Sequence, residues 1–252
     1  MLVEKVFQHK ISHFLLWEFY KANGVEWKTG KAIYRKEQKE QKRLKQERFA
    51  FARLLAKLLD ENVPIIFMDE TTVNTWQMKT KSWSTKNDIV YHTRPSTRLG
   101  VTVFGAIGNC LKKAMFMTAK STNKNDYLNF MRQVSQQVRP DPQNRKPVLL
   151  YDAHRAHTSL DARALIPKLF NPLPIPTYSC EFNSIEKVWS FAKVQWKKQM
   201  LASKVDIKSM EQLVQRVTAL FNDLDKKALH DLFYANRAYL LKTLKEADLY
   251  DN

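Results

Sequence analysis

The sequence Val63-Pro64-Ile65-Ile66-Phe67-Met68-Asp69 is a short apolar run that ends in a carboxylate. The sequence Pro147-Val148-Leu149-Leu150-Tyr151-Asp152 has the same form further along the chain. Short continuous apolar runs are typical of strands in the interior of a sheet that are covered on both faces. The two runs therefore predict two central strands, each with an acid at its end.

The segments around these strands complete the pattern of a mixed sheet. Further strands are predicted at 101–107 and 114–117, joined by a hairpin turn at Gly108-Asn109, and at 173–175. Apolar residues recur with helical spacing at 125–138, 160–169 and 184–200. The resulting order, β-β-β-α-β-α-β-α, predicts an α/β protein with a ribonuclease H-like fold, in which helices flank a mixed five-stranded sheet.

The rest of the chain is predicted to form helical extensions of this core. We assign residues 62–200 to the ribonuclease H-like domain and residues 35–61 to a long helix that leads into it. Residues 201–252 carry two helical patterns, at 213–224 and 229–244. Residues 1–34 contain one helical pattern followed by a basic, extended linker. The chain is therefore expected to have N-terminal and C-terminal helical extensions.

A third acid, Glu186, lies on the predicted helix at 184–200, beside the face that carries Ile185 and Trp189. Sites in open α/β sheets form at the carboxyl ends of parallel strands, so Asp69 and Asp152 are expected to meet there, within reach of Glu186. Hard oxygen ligands favour magnesium or manganese, and a pair of ions about 3.5–4 Å apart would offset the repulsion between the acids. Taken one at a time, each acid is more simply explained as an ordinary turn or surface residue.

The composition limits the class of partner. The 252 residues include 42 Lys and Arg against 25 Asp and Glu, a formal net charge of +17. This charge favours a polyanion such as nucleic acid, although an acidic substrate, a membrane surface or a merely solvated basic surface are alternatives. Cys110 and Cys180 are too few for a disulfide framework or a thiolate zinc site. Because no apolar stretch approaches the roughly 18 residues of a membrane span, we expect an intracellular protein without a membrane partner.

Two segments resemble the catalytic core of mariner-type DDE transposases. The first is Asp152-Ala153-His154-Arg155-Ala156-His157, since in that family the second acid opens a strand-end motif that ends in His. The second begins at Pro176 and has the family's residues at Tyr178, Ser179, Phe182, Asn183, Ile185, Glu186 and Trp189. The resemblance covers roughly residues 60–235. Three positions depart from the family pattern without removing an acid, namely Ala153 in place of Asn, and Cys180 and Ser184 in place of Pro.

The resemblance implies a DNA transposase or endonuclease that cleaves and transfers strands at transposon ends. Asp69, Asp152 and Glu186 would be the catalytic residues and would hold two Mg²⁺ or Mn²⁺ ions. DNA would be the partner of a homodimer or larger DNA-bound assembly, located in a eukaryotic nucleus or with DNA in a prokaryotic cytoplasm. Residues 1–34 would be the remnant of a helix-turn-helix region. A catalytically weak or silent, domesticated DNA-binding or scaffold subunit and a ribonuclease H-like nuclease are the alternatives.

Basic and aromatic residues near these motifs are candidate DNA contacts. Trp83, Trp189 and Trp196 are candidates for stacking on bases, although a core position explains Trp189 better. The remaining candidates are Lys79, Lys81 and Lys86 in the loop that carries Trp83, His154, Arg155 and His157 beside the second acid, and Lys187, Lys193 and Lys197 on the helix of Glu186. Helix capping and packing explain the residues beside Asp152 equally well, and exposure to solvent explains the lysines.

Overall fold

A computed structural model of the protein describes residues 12–25, 38–76, 97–121, 123–152, 159–202 and 207–251. Its internal contacts separate two units, Met1–Glu40 and Gln41–Asn252. In the first unit, helix α1 (His13–Ala22) begins after Ser12, whose hydroxyl accepts a hydrogen bond from the Leu15 N–H. Of the helices in the described ranges, none is both long enough and apolar enough to span a membrane.

The second unit is built on a mixed five-stranded sheet with the strand order β3-β2-β1-β4-β5. The strands are β1 (Ile65–Asn74), β2 (Gly100–Gly108), β3 (Met115–Ala119), β4 (Val148–Tyr151) and β5 (Asn171–Pro174). Strands β1, β2 and β3 pair in antiparallel fashion, whereas β4 runs parallel to both β1 and β5. The predicted fold class and order of elements are confirmed.

Helices cover both faces of this sheet. Successive side chains of a strand point to opposite faces, so the apolar strands place hydrophobic residues on both. Ile65 and Phe67 belong to one apolar cluster, and Ile66 and Met68 belong to another on the opposite face. Helices α3 (Lys124–Gln136) and α4 (Leu160–Leu169) pack on the face of Ile66. The other face is covered by α2 (Gln38–Asp60), a 3₁₀ turn (Cys180–Phe182), α5 (Ile185–Ala202), α6 (Met210–Asn222), α7 (Lys226–Phe233) and α8 (Arg237–Asp251).

Three differences from the sequence prediction are larger than a shift of one or two residues. Strand β1 continues five residues beyond Asp69, because Glu70–Asn74 pair with β2. The predicted hairpin turn at Gly108-Asn109 is a longer connection, in which the Asn109 side chain accepts a hydrogen bond from the Ile65 N–H and donates one to the Val63 carbonyl. The predicted helix at 229–244 is two helices, α7 and α8. The division of the chain into four segments, drawn from the sequence, stays a prediction.

Candidate active site

The three predicted acids line a single cavity of about 320 Å³. The parallel pairing of β1 with β4 ends at Phe67 and Leu150, and Asp69 and Asp152 each lie two residues further on. Asp69 on β1 and Asp152 just past the end of β4 therefore stand level with each other, and neighbouring strands are about 4.8 Å apart in a sheet. Glu186 reaches the same cavity from the first turn of α5. The expected meeting of two strands and one helix is present in the fold.

A tryptophan on α5 fixes the carboxylate of Asp69. The indole N–H of Trp189 donates a hydrogen bond of 3.0 Å to Asp69 Oδ2, and Trp189 is only 2% exposed. The indole passes over Gly105, which is paired with Asp69 in the register of β1 and β2. A Cβ atom on Gly105 would lie 2.3 Å from the Trp189 ring. Gly105 therefore provides the space for the side chain that orients Asp69.

Burial and neighbouring negative charges raise the pKa values of Asp69 and Glu186 in this cavity. Burial is the main reason why the pKa of Asp69 is raised to about 7, the Glu186 charge adds to the rise, and the Trp189 hydrogen bond opposes it. Burial also raises the pKa of Glu186, with a further contribution from Asp152, while the charges of Lys193 and Lys187 oppose the rise. The acids thus repel one another in a partly buried cavity, where a cation would stabilise their charged forms.

The donor set of the cavity fits a hard divalent cation. Its carboxylate oxygens are the ligands that magnesium and manganese prefer. Asn183 also lines the cavity, and its buried Oδ1 has no hydrogen-bond partner among the described residues. The Asn183 amide donates to the Met68 carbonyl, which ties the start of α5 to β1 beside Asp69. Within the described ranges, no three His, Cys, Asp or Glu side chains form a group tight enough to hold a metal ion.

Only some of the residues that were predicted to contact DNA lie in the described part of the structure. Lys187, Lys193 and Lys197 lie on α5, and Lys193 and Lys197 follow Glu186 at helical spacing along one face. Trp196 is 1% exposed and donates its indole N–H to the Asn74 carbonyl. The stacking role predicted for Trp196 is therefore wrong, whereas the expectation that Trp189 packs in the core is confirmed. The other candidates lie outside the described residues, namely Lys79, Lys81, Trp83, Lys86, His154, Arg155 and His157.

The sheet order and the acid-lined cavity define a ribonuclease H-like protein with a candidate centre for divalent cations. Residues 64–208, more than half of the chain, match the DDE superfamily endonucleases, and the chain belongs to that family. The resemblance found in the sequence is thereby confirmed, and it is supported by the solved structures that have the same fold.

Those structures are complexes and domains of the Mos1 mariner transposase. The Mos1 mariner paired end complex with Mn is 15% identical to this chain, with a TM-score of 0.71, and the match covers 98% of this chain and 73% of that one. The Mos1 strand transfer complex is 15% identical, with a TM-score of 0.69 and coverage of 98% and 72%. The catalytic domain of Mos1 mariner transposase is 14% identical, with a TM-score of 0.57 and coverage of 86% and 98%. No curated protein sequence is matched significantly.

Trp189→Phe is expected to weaken Mn²⁺ binding by about 10-fold to 100-fold, the usual effect of removing a group that orients a metal ligand. Phe keeps an aromatic ring in the core but lacks the N–H that holds Asp69. Calorimetric titration of the metal-free protein with Mn²⁺ measures the affinity. Trp196→Phe is the matched control, because Trp196 is also buried on α5 but donates to Asn74, away from the acids. Equal affinities in the two variants would rule out the orienting role.

Asp69→Asn is expected to raise the thermal stability of the metal-free protein most strongly at alkaline pH. The pKa of Asp69 is about 7 in the folded protein against an ordinary value of 3.8. Wild type is therefore most stable at a pH below the ordinary pKa, and it loses stability as the pH rises towards 7. In that range the Asp69 carboxyl must either take up a proton when the protein folds or be buried as a charged group. Asn carries no charge and escapes this loss.

Melting temperatures measured in EDTA from acid to alkaline pH test this expectation. The difference between Asp69→Asn and wild type should grow as the pH rises from the ordinary pKa of 3.8 to the raised value of about 7, and then level off. A difference in melting temperature that is constant across this range would mean that burial does not raise the pKa of the Asp69 carboxyl.

Proposed function

We propose that the protein is a DNA transposase that cleaves and transfers DNA strands at transposon ends in a divalent-metal-dependent reaction. The observation that carries the proposal is the convergence of Asp69, Asp152 and Glu186 on one cavity in a chain of the DDE superfamily endonuclease family. The Mos1 structures with this fold are paired-end and strand transfer complexes, which supports DNA as the partner and a paired, DNA-bound assembly. A location with DNA, in a eukaryotic nucleus or a prokaryotic cytoplasm, is part of the proposal.

Asp69, Asp152 and Glu186 would be the catalytic residues and would hold two Mg²⁺ or Mn²⁺ ions. A pair of bound ions supplies activation of the attacking oxygen and stabilisation of the leaving oxygen in an in-line displacement. Mos1 complexes with Mn and with Mg support the choice of metal. In this chain the indole N–H of Trp189 donates to Oδ2 of Asp69, so Trp189 would orient the carboxylate for its role.

The bases on α5 would guide the DNA backbone to these acids. Lys193 and Lys187 are close enough to Glu186 for their charges to oppose the rise in its pKa that burial causes. Phosphate contacts of this kind fix the position of a duplex without reading its sequence. We propose that Lys187, Lys193 and Lys197 hold the strand next to the scissile phosphate. His154, Arg155 and His157, and the loop residues Lys79, Lys81, Trp83 and Lys86, are proposed as further contacts on the basis of the sequence alone.

A cleavage assay on three substrates tests the proposed function. Wild-type protein is incubated with duplex DNA that carries the ends of its own element, with unrelated duplex DNA and with an RNA–DNA hybrid, in Mg²⁺, Mn²⁺ or EDTA. We expect nicking at the element ends and joining of the freed 3′ ends to target DNA, in either metal and not in EDTA. DNA binding without cleavage in any metal would favour a silent scaffold subunit. Cutting of only the RNA strand of the hybrid would favour a ribonuclease H.

A further inference from the structure

A second cavity lies at the opposite end of the parallel strands from the acids. It has a volume of about 420 Å³ and lies beside Gly108, where β2 ends and Ile66 of β1 is paired. Asp69 is three residues further along β1 than Ile66, which is about 10 Å at ~3.3 Å per residue. The cavity is formed by the connection between β2 and β3, by Arg139, which lies three residues past the end of α3, and by one side of α7. We call it the basic groove.

Basic side chains line the groove, and no acidic residue from the described part of the chain does. They are Lys112, Lys113, Arg139, Lys226 and His230. Several bases elsewhere are neutralised by acids, such as Lys120 by Glu211 and Lys124 by Asp161. By contrast, the lysines and the arginine of the groove form no ion pair with any residue that the structure describes. The groove therefore concentrates uncompensated positive charge in a concave surface.

The acids near the groove are already engaged by other groups. Asp141 binds the guanidinium of Arg145 through both carboxylate oxygens. Asp225 caps α7 by accepting hydrogen bonds from the N–H groups of Lys227 and Ala228. Asp231 contacts His230 at 3.5 Å, so the imidazole is the one groove base with an acidic partner among the described residues. These contacts leave the charge of the lysines and of Arg139 uncompensated.

Arg139 is held in a fixed position at the rim of the groove. Its terminal nitrogen donates a hydrogen bond of 2.7 Å to the Leu111 carbonyl, and its backbone N–H donates to the Cys110 carbonyl. The rest of the planar guanidinium fork can donate to an anion, which suits the oxygens of a phosphate. On the opposite wall, Tyr234 packs edge-on against both His230 and Phe233 and is 43% exposed. A fixed donor, mobile lysines and an exposed ring are the contacts that a sugar–phosphate chain uses.

We propose that the basic groove binds the phosphodiester backbone of duplex DNA, away from the phosphate that is cleaved. The inference rests on the proposed function only in taking DNA as the polyanion, and it requires no catalysis. A duplex bound there contributes affinity without sequence readout, because phosphate contacts carry no base information. The groove would thus hold DNA at one end of the sheet while the acids act at the other.

Neutralising the groove tests the inference. The variant Lys112→Gln/Lys113→Gln/Lys226→Gln removes three positive charges, and Lys168→Gln/Lys208→Gln/Lys245→Gln removes the same charge from exposed positions elsewhere. Binding of a fluorescent duplex of random sequence to the full chain is measured by anisotropy across a range of salt concentrations, in EDTA. The slope of log affinity against log salt should fall by about 0.9 for each phosphate that the variant no longer neutralises. For the groove variant we expect a fall of about 2.7, and a much smaller change in the control.

The two possible failures are distinguishable. Equal slopes and affinities in the groove variant and the charge-matched control would overturn the groove as a DNA site, while wild-type binding and cleavage stayed intact. Failure of the proposed function would instead appear as wild-type protein that does not cleave element ends in any metal. Circular dichroism spectra establish that both variants are folded. Should the triple variant unfold, Lys112→Gln/Lys113→Gln, outside helix α7, gives the same comparison with an expected slope change of about 1.8.

Discussion

Asp152→Asn is expected to abolish metal-dependent DNA cleavage, with a loss of orders of magnitude, while DNA binding survives. Asp152 directly follows β4 and stands level with Asp69, so its carboxylate borders the same cavity as Glu186. Asn has nearly the same size but no charge, and an amide oxygen is a much weaker ligand for a hard divalent cation. Binding to the DNA backbone depends on the bases of the chain and is not reduced by the loss of an acid.

Denaturing gels that resolve nicked strands measure the cleavage, and anisotropy measures the binding. The control is Asp223→Asn, which changes an exposed acid at the end of α6, outside the cavity. Unchanged cleavage by Asp152→Asn would reject the assignment of Asp152. Loss of DNA binding together with cleavage would indicate that the variant is misfolded or that Asp152 has a structural role.

Gly105→Ala is expected to lower the free energy of unfolding by about 1–3 kcal/mol, the usual cost of overpacking a core, and to weaken Mn²⁺ binding as well. The new methyl group would lie 2.3 Å from Cη2 of Trp189 and 3.0 Å from Cδ1 of Ile185. Trp189 cannot move away freely, because its ring packs edge-on against Phe116 and Phe221. Any shift of the indole also disturbs the hydrogen bond to Asp69.

Gly100→Ala is the matched control for this substitution. A methyl group there meets its nearest neighbours at 3.5–3.7 Å, which is ordinary van der Waals contact. Both variants replace a glycine of β2 by alanine, and because the chemical change is the same, they have the same effect on the entropy of the unfolded chain. Urea unfolding curves and Mn²⁺ titrations compare them. Similar stabilities for the two variants would show that the core around Trp189 adapts to the added group.

The sequence predicted the order of elements because each element has a local pattern. The apolar runs of β1 and β4 and the helical spacing of α5 are visible without knowledge of the partner that covers them. Three acids next to such elements, together with the family resemblance, were enough to predict one shared cavity. Fold and acid cluster were therefore accessible from the sequence, because each element has a local pattern and the topology of the fold brings the acids at the ends of those elements together.

Other features depend on contacts between distant segments and were missed. Residues 71–74 are largely polar, so the extension of β1 was not predicted, yet Thr71 and Asn74 are buried by the elements around them. The hydrogen bond from Trp189 to Asp69 joins residues that are 120 positions apart. One local signal was available, since a glycine within a strand such as Gly105 often marks the close approach of another group. The pattern did not say which group approaches.

The position of Asp69 inside a continuous strand has a mechanical consequence. Hydrogen bonds to β2 run along β1 from Ile66 to Asn74, so the backbone of Asp69 is held on both sides of the acid. Asp152 stands just past the last residue of β4, and Glu186 in the first turn of a helix, where backbones yield more readily. We expect Asp69 to serve as the stationary member of the three acids. Adjustment to each successive substrate would then fall to Asp152 and Glu186.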